Sequence, residues 1–478
     1  MSTLNWIKQL PRGAKASIAF LFSNVVTSGI AYITIPFYTR ILTSQEYGQV
    51  SVFLTWTHIF GIVAMFCLSM GVFNNGMIDY PDARDSYSFS MLVLSNLFTI
   101  IFSVVLFALY PLVGNIIGLN YTLLALMLAS FLLKPAYNFW TARQRYEYKY
   151  KYVVLWTILS AVLSPAFAIL ICLMHEPGDR LYSRLFGAEL VPLIMAACFY
   201  IYLGRRSHFK VNRRYWKSAI LFNLPLIPHY LSSYVLNSSD KIMISKMIGD
   251  SETAYYSVAY SAAAVVMVIW LAVNGSLIPY TYEKCSTNDY QSISKVTLPI
   301  LTLFAVICVF AIVLAPELIG VMATKDYSDA IYAIPPIVAG TFFQIQYFIY
   351  ANIVYYFKKP KYVMYASVTA AIANIILNYF LIKMFGYKAA GYTTLLCYLI
   401  QAVLDYFAMK YVVKEKVYNM KYISFLSLCL IVVSLLSLLF YTHPCVRYGI
   451  VLLIVAALIY CRRYIVQSIL ATRKPQTV

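Results

Sequence analysis

The sequence predicts an all-α integral membrane protein with about fourteen transmembrane helices, twelve at the least. Three observations carry this. Of 478 residues, 62% are hydrophobic and only 12% are charged, about half the charge an average soluble protein carries. Apolar runs of roughly 20 residues, the length that crosses a hydrocarbon core of about 30 Å, recur from end to end. Lysine and arginine concentrate in alternate connections between those runs. With so few charges a water-facing surface cannot be built, so lipid is the solvent.

In order, the runs place spans near 16–38, 47–74, 88–110, 116–139, 152–174, 185–204, 218–238 and 253–280. Six more follow near 296–315, 330–356, 362–383, 389–410, 422–441 and 446–465. The first run follows Lys8, Arg12 and Lys15, but no small-residue cleavage site closes a short apolar core, so it is expected to stay as a membrane helix. Connections on the N-terminal side hold 27 of the 37 lysines and arginines, those on the other side hold 9, and Lys134 lies within a span. With an even number of spans, this expects both termini on the cytoplasmic side.

The same asymmetry accounts for most of the +19 net charge. The basic residues are spread over many short loops and not gathered on one face, which argues against nucleic acid as a partner. The densest stretch, Arg205, Arg206, Lys210, Arg213, Arg214 and Lys217, also suits anionic lipid head groups. Nine cysteines show no C-x-x-C pair and no metal-ligand spacing, so no metal is expected. No G-x-x-x-x-G-K-[ST], G-x-S-x-G or H-E-x-x-H motif occurs, and no loop is long enough for a soluble motor or catalytic domain. Transport is expected, and catalysis is not.

Transporters are commonly built from repeats. The stretch R-I-L-T-S-Q-E-Y-G-Q-V-S-V, Arg40 to Val52, follows the first span, and K-M-I-G-D-S-E-T-A-Y-Y-S-V, Lys246 to Val258, follows the seventh. This spacing expects two six-helix lobes, 1–204 and 218–412, joined by a basic cytoplasmic linker at 205–217. Two further helices and a tail follow at 413–478.

Three places resemble a known family. They are P-F-Y-T-R-I-L-T-S-Q-E-Y-G (Pro36 to Gly48), D-K-I-M-I-S-K-M-I-G (Asp240 to Gly249, continuing to Ala259), and A-N-I-I-L-N-Y-F-L-I (Ala373 to Ile382) followed by Gly386 and A-A-G-Y-T-T (Ala389 to Thr394). Their order and spacing are similar to the polysaccharide flippases of the multidrug, oligosaccharidyl-lipid and polysaccharide exporter superfamily. The resemblance implies two six-helix lobes in a V-shaped, inward- or outward-facing arrangement working by alternating access. The implied cargo is an undecaprenyl-pyrophosphate-linked oligosaccharide repeat unit, moved from the cytoplasmic to the periplasmic leaflet of a bacterial inner membrane. The first two helices lack a dense arginine cluster, which favours O-antigen or capsular repeats over a peptidoglycan precursor. The polymerase and chain-length machinery of the same pathway would be partners, and coupling to proton, sodium or membrane potential would supply energy without a bound cofactor. Two alternatives stay open, a cation-coupled multidrug exporter of the same superfamily and a membrane-embedded polymerase or glycosyltransferase.

A pyrophosphate crossing lipid needs cations or aimed donors. Lys134, near one end of span four, suits that head group or else snorkels to the interface. Glu189 and Asp405 lie within spans, where each could carry a coupling proton or balance a basic partner. In span seven His229, Ser233, Asn237 and Lys241 recur at four-residue spacing on one face, behind Pro225 and Pro228, which should bend or break the helix. Asn24 with Thr27 and Ser28 forms a shorter polar face in span one. Arg40 and Lys246, at equivalent places after spans one and seven, complete the candidate cavity cations. Arg143 and Arg145 stand at the expected cytoplasmic mouth, as head-group recruiters or positive-inside anchors. Asn374 and Asn378, four apart in span eleven, are expected to bond to neighbouring helices. The many tyrosines are expected as interfacial belt residues ahead of sugar platforms.

Overall fold

The structure is a computed structural model that describes residues 12–69 and 71–471; Lys8, Met70 and the tail charges Arg473 and Lys474 lie outside the described residues. Among the described residues the regular elements are all helical, as a chain dissolved in lipid requires, because a helix satisfies its own backbone polar groups. Twelve helices among the described residues are long and apolar enough to cross a membrane. The remaining two expected spans are helical as well, over Ser44–Ala64 and Pro444–Ala471.

The chain divides into two compact units, Met1–Val235 and Leu236–Val478. The first opens with α1 (Arg12–Ile41) and α2 (Ser44–Ala64). The turn between them is set by T-S-Q-E: the Glu46 amide donates to the Thr43 hydroxyl at 3.2 Å, and the Thr43 amide donates to the Glu46 carboxylate at 2.8 Å, a reciprocal capping box. The span expected at 47–74 is not continuous. After α2 the backbone turns through Phe66 and Cys67, both at positive φ, and resumes as α3 (Val72–Asp79). Two anchors hold the break. Phe66 stacks on Phe98 at 4.3 Å, and its carbonyl accepts from the Asn223 amide at 3.0 Å. An unbroken apolar run carries no sign of either.

Next come α4 (Arg84–Ile117), α5 (Tyr121–Tyr146), α6 (Tyr150–Leu173), α7 (Arg180–Arg206) and α8 (Arg214–Asn223). Gly118, at φ 68°, ends α4 with its amide on the Gly114 carbonyl at 2.7 Å, the left-handed cap that glycine makes at least cost. Where α6 crosses α7, a Cβ on Gly187 would lie 2.6 Å from the Ala168 Cα, so the helices touch backbone to backbone, as small residues permit in membranes. Aromatic side chains, among them Phe73, Tyr87, Phe139 and Trp140, fill one core cluster, and Phe53, Met127 and Phe131 a second. The basic stretch 205–217 is only partly a connection. Its last residues open α8, which lies on the first unit with Tyr215 and Ala219 buried and the Trp216 indole donating to the Ser90 carbonyl at 3.0 Å.

A 3-10 turn, Leu224–Leu226, separates α8 from α9 (Ile227–Met247), the interruption expected of Pro225 and Pro228. The division between units falls inside α9. Helix continues to Met247, into what the spans placed as an outer loop. The second unit continues with α10 (Asp250–Ser286), α11 (Tyr290–Val313), short α12 (Ala315–Met322) and a 3-10 stretch, Lys325–Tyr332. Then follow α13 (Ile334–Tyr356), α14 (Pro360–Phe385), α15 (Lys388–Val413), α16 (Met420–Phe440) and α17 (Pro444–Ala471). Helix α13 is the axis of this unit and is buried over nearly its whole length. Gly391 lies against Pro336, and Gly340 against the Leu395 backbone, so α13 and α15 run in close contact. Helices α1 and α4 instead carry rows of exposed apolar side chains, such as Phe22, Ile33, Phe37, Ile101 and Val104, the exterior expected where the solvent is lipid.

Candidate functional site

In the first unit, Lys134 and Glu189 prove to be one feature. Helix α5 carries Lys134 and α7 carries Glu189, and their charged atoms lie 2.6 Å apart. The Ser130 hydroxyl, one turn before Lys134, donates to the same Glu189 oxygen at 3.0 Å. The Lys134 side chain is 34% exposed and that of Glu189 only 13%, so the carboxylate is enclosed and the ammonium remains reachable. An intramembrane cation held by a single carboxylate can exchange that partner for another anion.

Arg143 lies further along α5, at its C-terminal end. It pairs with Asp85 and donates from Nε to Glu147 at 2.9 Å, while Lys149 reaches Glu147 at 2.5 Å and Arg206 approaches Asp85 at 3.5 Å. This network ties the ends of α4, α5 and α7. Glu147 lies beyond the span. Burial would raise its carboxyl, yet hydrogen bonds from Lys149 and Arg143 outweigh burial and hold it below the ordinary carboxylate range. Arg145 is exposed, with its guanidinium 5.4 Å from the Phe20 ring centre, and is the freer of the two mouth arginines. Asn24 is exposed on α1, and its carbonyl accepts from Thr27 at 3.1 Å. Arg40 folds back on the Pro36 carbonyl at 2.7 Å.

His229 and Ser233 sit part-buried in the portion of α9 that belongs to the first unit. Asn237 and Lys241 belong to the second, where both turn toward Tyr260. The Asn237 carbonyl oxygen accepts from Tyr398 at 2.5 Å, Tyr260 at 3.1 Å and Gln344 at 3.1 Å, and the Lys241 ammonium lies 5.1 Å from the Tyr260 ring centre. Lys246 is exposed in the last turn of α9.

A densely bonded group in the second unit centres on Asp240, which lies in the D-K-I-M-I-S-K-M-I-G motif. Asp240 is fully buried and accepts from Tyr256 at 2.5 Å, Thr394 at 2.7 Å and Asn378 at 3.1 Å. Asn374 extends the cluster by accepting from Ser239 at 3.2 Å and from Asn378 at 3.1 Å, and Thr393 donates to Asn378. The expected interhelical bonding of Asn374 and Asn378 is thus present, with Asp240 at its centre. Asp405 is buried on α15, and neither of its carboxyl oxygens has a hydrogen-bond partner among the described residues. Among the described residues no three His, Cys, Asp or Glu side chains gather as a metal site. Three donors converge on the Asp240 carboxyl, which is thus hydrogen-bonded as buried polar groups normally are.

Glu46 is a further buried acid. Besides capping α2, it accepts the Arg180 amide at 2.6 Å, while the Arg180 guanidinium bonds the Ile41 carbonyl at 2.6 Å. This locks the α1–α2 turn to the start of α7. The capping signature T-S-Q-E was its legible sign.

Comparison with known proteins completes the assignment. A family model described as polysaccharide biosynthesis protein matches residues 14–284, more than half of the chain. The chain belongs to the polysaccharide biosynthesis protein family. A second model, MatE, matches residues 225–380. A protein of the Lsg locus of Haemophilus influenzae is 22% identical over 371 residues, 76% of this chain and 89% of its own length. A Haloferax volcanii protein named a probable low-salt glycan biosynthesis flippase, Agl15, is 22% identical over 395 residues, 82% of each. The fold is similar to that of a solved structure of the lipid II flippase MurJ, with a TM-score of 0.66 at 14% identity, covering 95% of this chain and all of that one. This member of the family is a multi-pass membrane protein.

Proposed function

We propose that this chain is a flippase that moves an undecaprenyl-pyrophosphate-linked oligosaccharide from the cytoplasmic to the periplasmic leaflet of a bacterial inner membrane by alternating access, for O-antigen or another surface polysaccharide. The observation that carries this reading is the similarity to a protein named as a glycan biosynthesis flippase across 82% of both chains. Lys134 supplies the chemistry: a reachable ammonium inside a span, held by one carboxylate, suits an anionic head group whose prenyl tail stays in lipid. Arg145 and the basic residues between α7 and α8 would gather the head group at the cytoplasmic mouth, with both termini on that side. Proton, sodium or membrane potential would drive the cycle, and the polymerase of the same pathway would receive the product.

The test is the sidedness of lipid-linked repeats in cells lacking this chain. Accumulation on the cytoplasmic leaflet, relieved by the wild type, supports the reading. Repeats that reach the periplasm but stay unpolymerised would overturn it. A second reading, cation-coupled drug export, is favoured by the MatE match over 225–380; it predicts altered drug sensitivity with normal repeat sidedness.

A further inference from the structure

A buried polar track runs along α15 and ends in an acid with nothing to bond. Thr394, Tyr398, Gln401 and Asp405 recur at spacings of four, three and four, which keeps them on one helical face. All four are buried, with exposures of 0%, 2%, 4% and 0%. The first three are satisfied by facing helices: Thr394 bonds Asp240 at 2.7 Å, Tyr398 bonds Asn237 at 2.5 Å, and Gln401 donates to Ser367 at 3.4 Å. Among the described residues Asp405 has no such partner for either oxygen.

Among the described residues Asp405 forms no ion pair. From α13, Tyr347 lies within Coulombic range of the carboxyl, and the Tyr350 ring is 5.8 Å from those of Tyr406 and Tyr418. From α14 come Ser367, already bonded to Gln401, and Tyr362, whose ring is 5.4 Å from Tyr411. Lys358, Lys359 and Lys361, at the turn between α13 and α14, are exposed, as is Lys410 on α15.

The other two buried acids make the contrast. Glu46 caps a helix and takes the Arg180 amide, and Asp240 takes three donors. Both carboxyls therefore have hydrogen-bond donors, which Asp405 lacks among the described residues. A carboxylate without donor or counter-ion in an apolar interior is far costlier than the neutral acid, which forgoes only a hydrogen bond. The acid form is the one this packing tolerates.

We propose that Asp405 is a proton-binding site of this chain. A proton from the aqueous phase joins the carboxylate to give the acid that α13 and α14 enclose. When α15 shifts against those helices and water reaches the carboxyl, the same proton leaves and the carboxylate is restored. Gain and loss of one proton thereby distinguish two packings of α15. The inference rests on the transport reading only for what the proton drives; the protonation is tested without cargo.

The experiment uses the full chain in lipid nanodiscs, treated with a hydrophobic carbodiimide that reacts with protonated carboxyls, and mapped by peptide mass spectrometry. The expected result is modification of Asp405 that is lost as pH rises. Asp405 unmodified at every pH, or modified equally at every pH, overturns the proposal. In liposomes, Asp405→Asn, a neutral match for the acid, is expected to lose the response of cargo movement to an imposed pH gradient, and Asp405→Glu to keep it. An Asp405→Asn protein that still follows the gradient overturns the coupling role. If the chain moves no lipid-linked glycan at all, the flippase reading fails while the pH-dependent modification of Asp405 stands.

Discussion

Replacing either partner of the Lys134–Glu189 pair should move head-group affinity in opposite directions. The ammonium lies 2.6 Å from Glu189 and keeps 34% of its side chain exposed, so an incoming pyrophosphate oxygen can reach it and must compete with the carboxylate. A hydrogen bond to a charged group contributes about 1.5–3 kcal/mol net, which corresponds to roughly 10- to 150-fold in Kd. Lys134→Ala should therefore weaken binding of undecaprenyl pyrophosphate by one to two orders of magnitude, and Lys134→Arg should retain most of it. Glu189→Gln removes the competing charge and keeps an acceptor for Ser130, which donates at 3.0 Å; binding should tighten. The assay is equilibrium binding of the radiolabelled lipid to the chain in nanodiscs, with size-exclusion profiles confirming that each variant is folded. A pair that only braces α5 against α7 predicts that both variants weaken binding alike. That outcome, or a Lys134→Ala protein with unaltered affinity, refutes the reasoning.

Asp240→Ala would strand the Tyr256, Thr394 and Asn378 donors, each costing about 1–3 kcal/mol when buried without a partner; a large fall in thermal stability is expected, and a smaller one for Asp240→Asn. Gly187→Val would push a side chain into the Ala168 backbone, 2.6 Å from the would-be Cβ, for a loss of about 1–3 kcal/mol in thermal unfolding. The Glu147 carboxyl is held below its ordinary range by Lys149 and Arg143 against the opposing effect of burial. Its contribution is then fully present above the unfolded value of about 4.3 and is lost as pH falls through the lower folded value. Thermal stability of the wild type should drop over that acid window, and Glu147→Gln should flatten the drop.

What the sequence made legible depended on whether a residue's own neighbours decide its fate. Span lengths, the break at Pro225 and Pro228 and the polar stripe of α9 are local, since a run, a missing amide or a four-residue spacing acts within one helix. The break at Phe66 and Cys67 is not, because it is held by Phe98 and Asn223 from distant elements. The pairing of Lys134 with Glu189 was hidden for the same reason. Each stood out as a charge in lipid, but periodicity fixes only the face a side chain occupies on its own helix, not what the facing helix presents.

Asn378 and Asp405 show how far that limit reaches. Both are polar groups in apolar runs, and the same cost of an unbonded group in lipid argues for partners at both. For Asn378 the argument succeeds, because α9 and α15 bring Asp240 and Thr393 to it. At Asp405 it meets an enclosed carboxyl with no donor for either oxygen among the described residues. The two residues differ in one chemical respect. An amide cannot shed its need by changing charge, whereas a carboxyl can take a proton and become tolerable where it stands. An amide without a partner would select against the helix packing itself, but an acid without one survives by binding a proton. A titratable group is therefore the kind of residue for which an unsatisfied place can persist in the membrane, and it becomes legible only once all the facing helices are known.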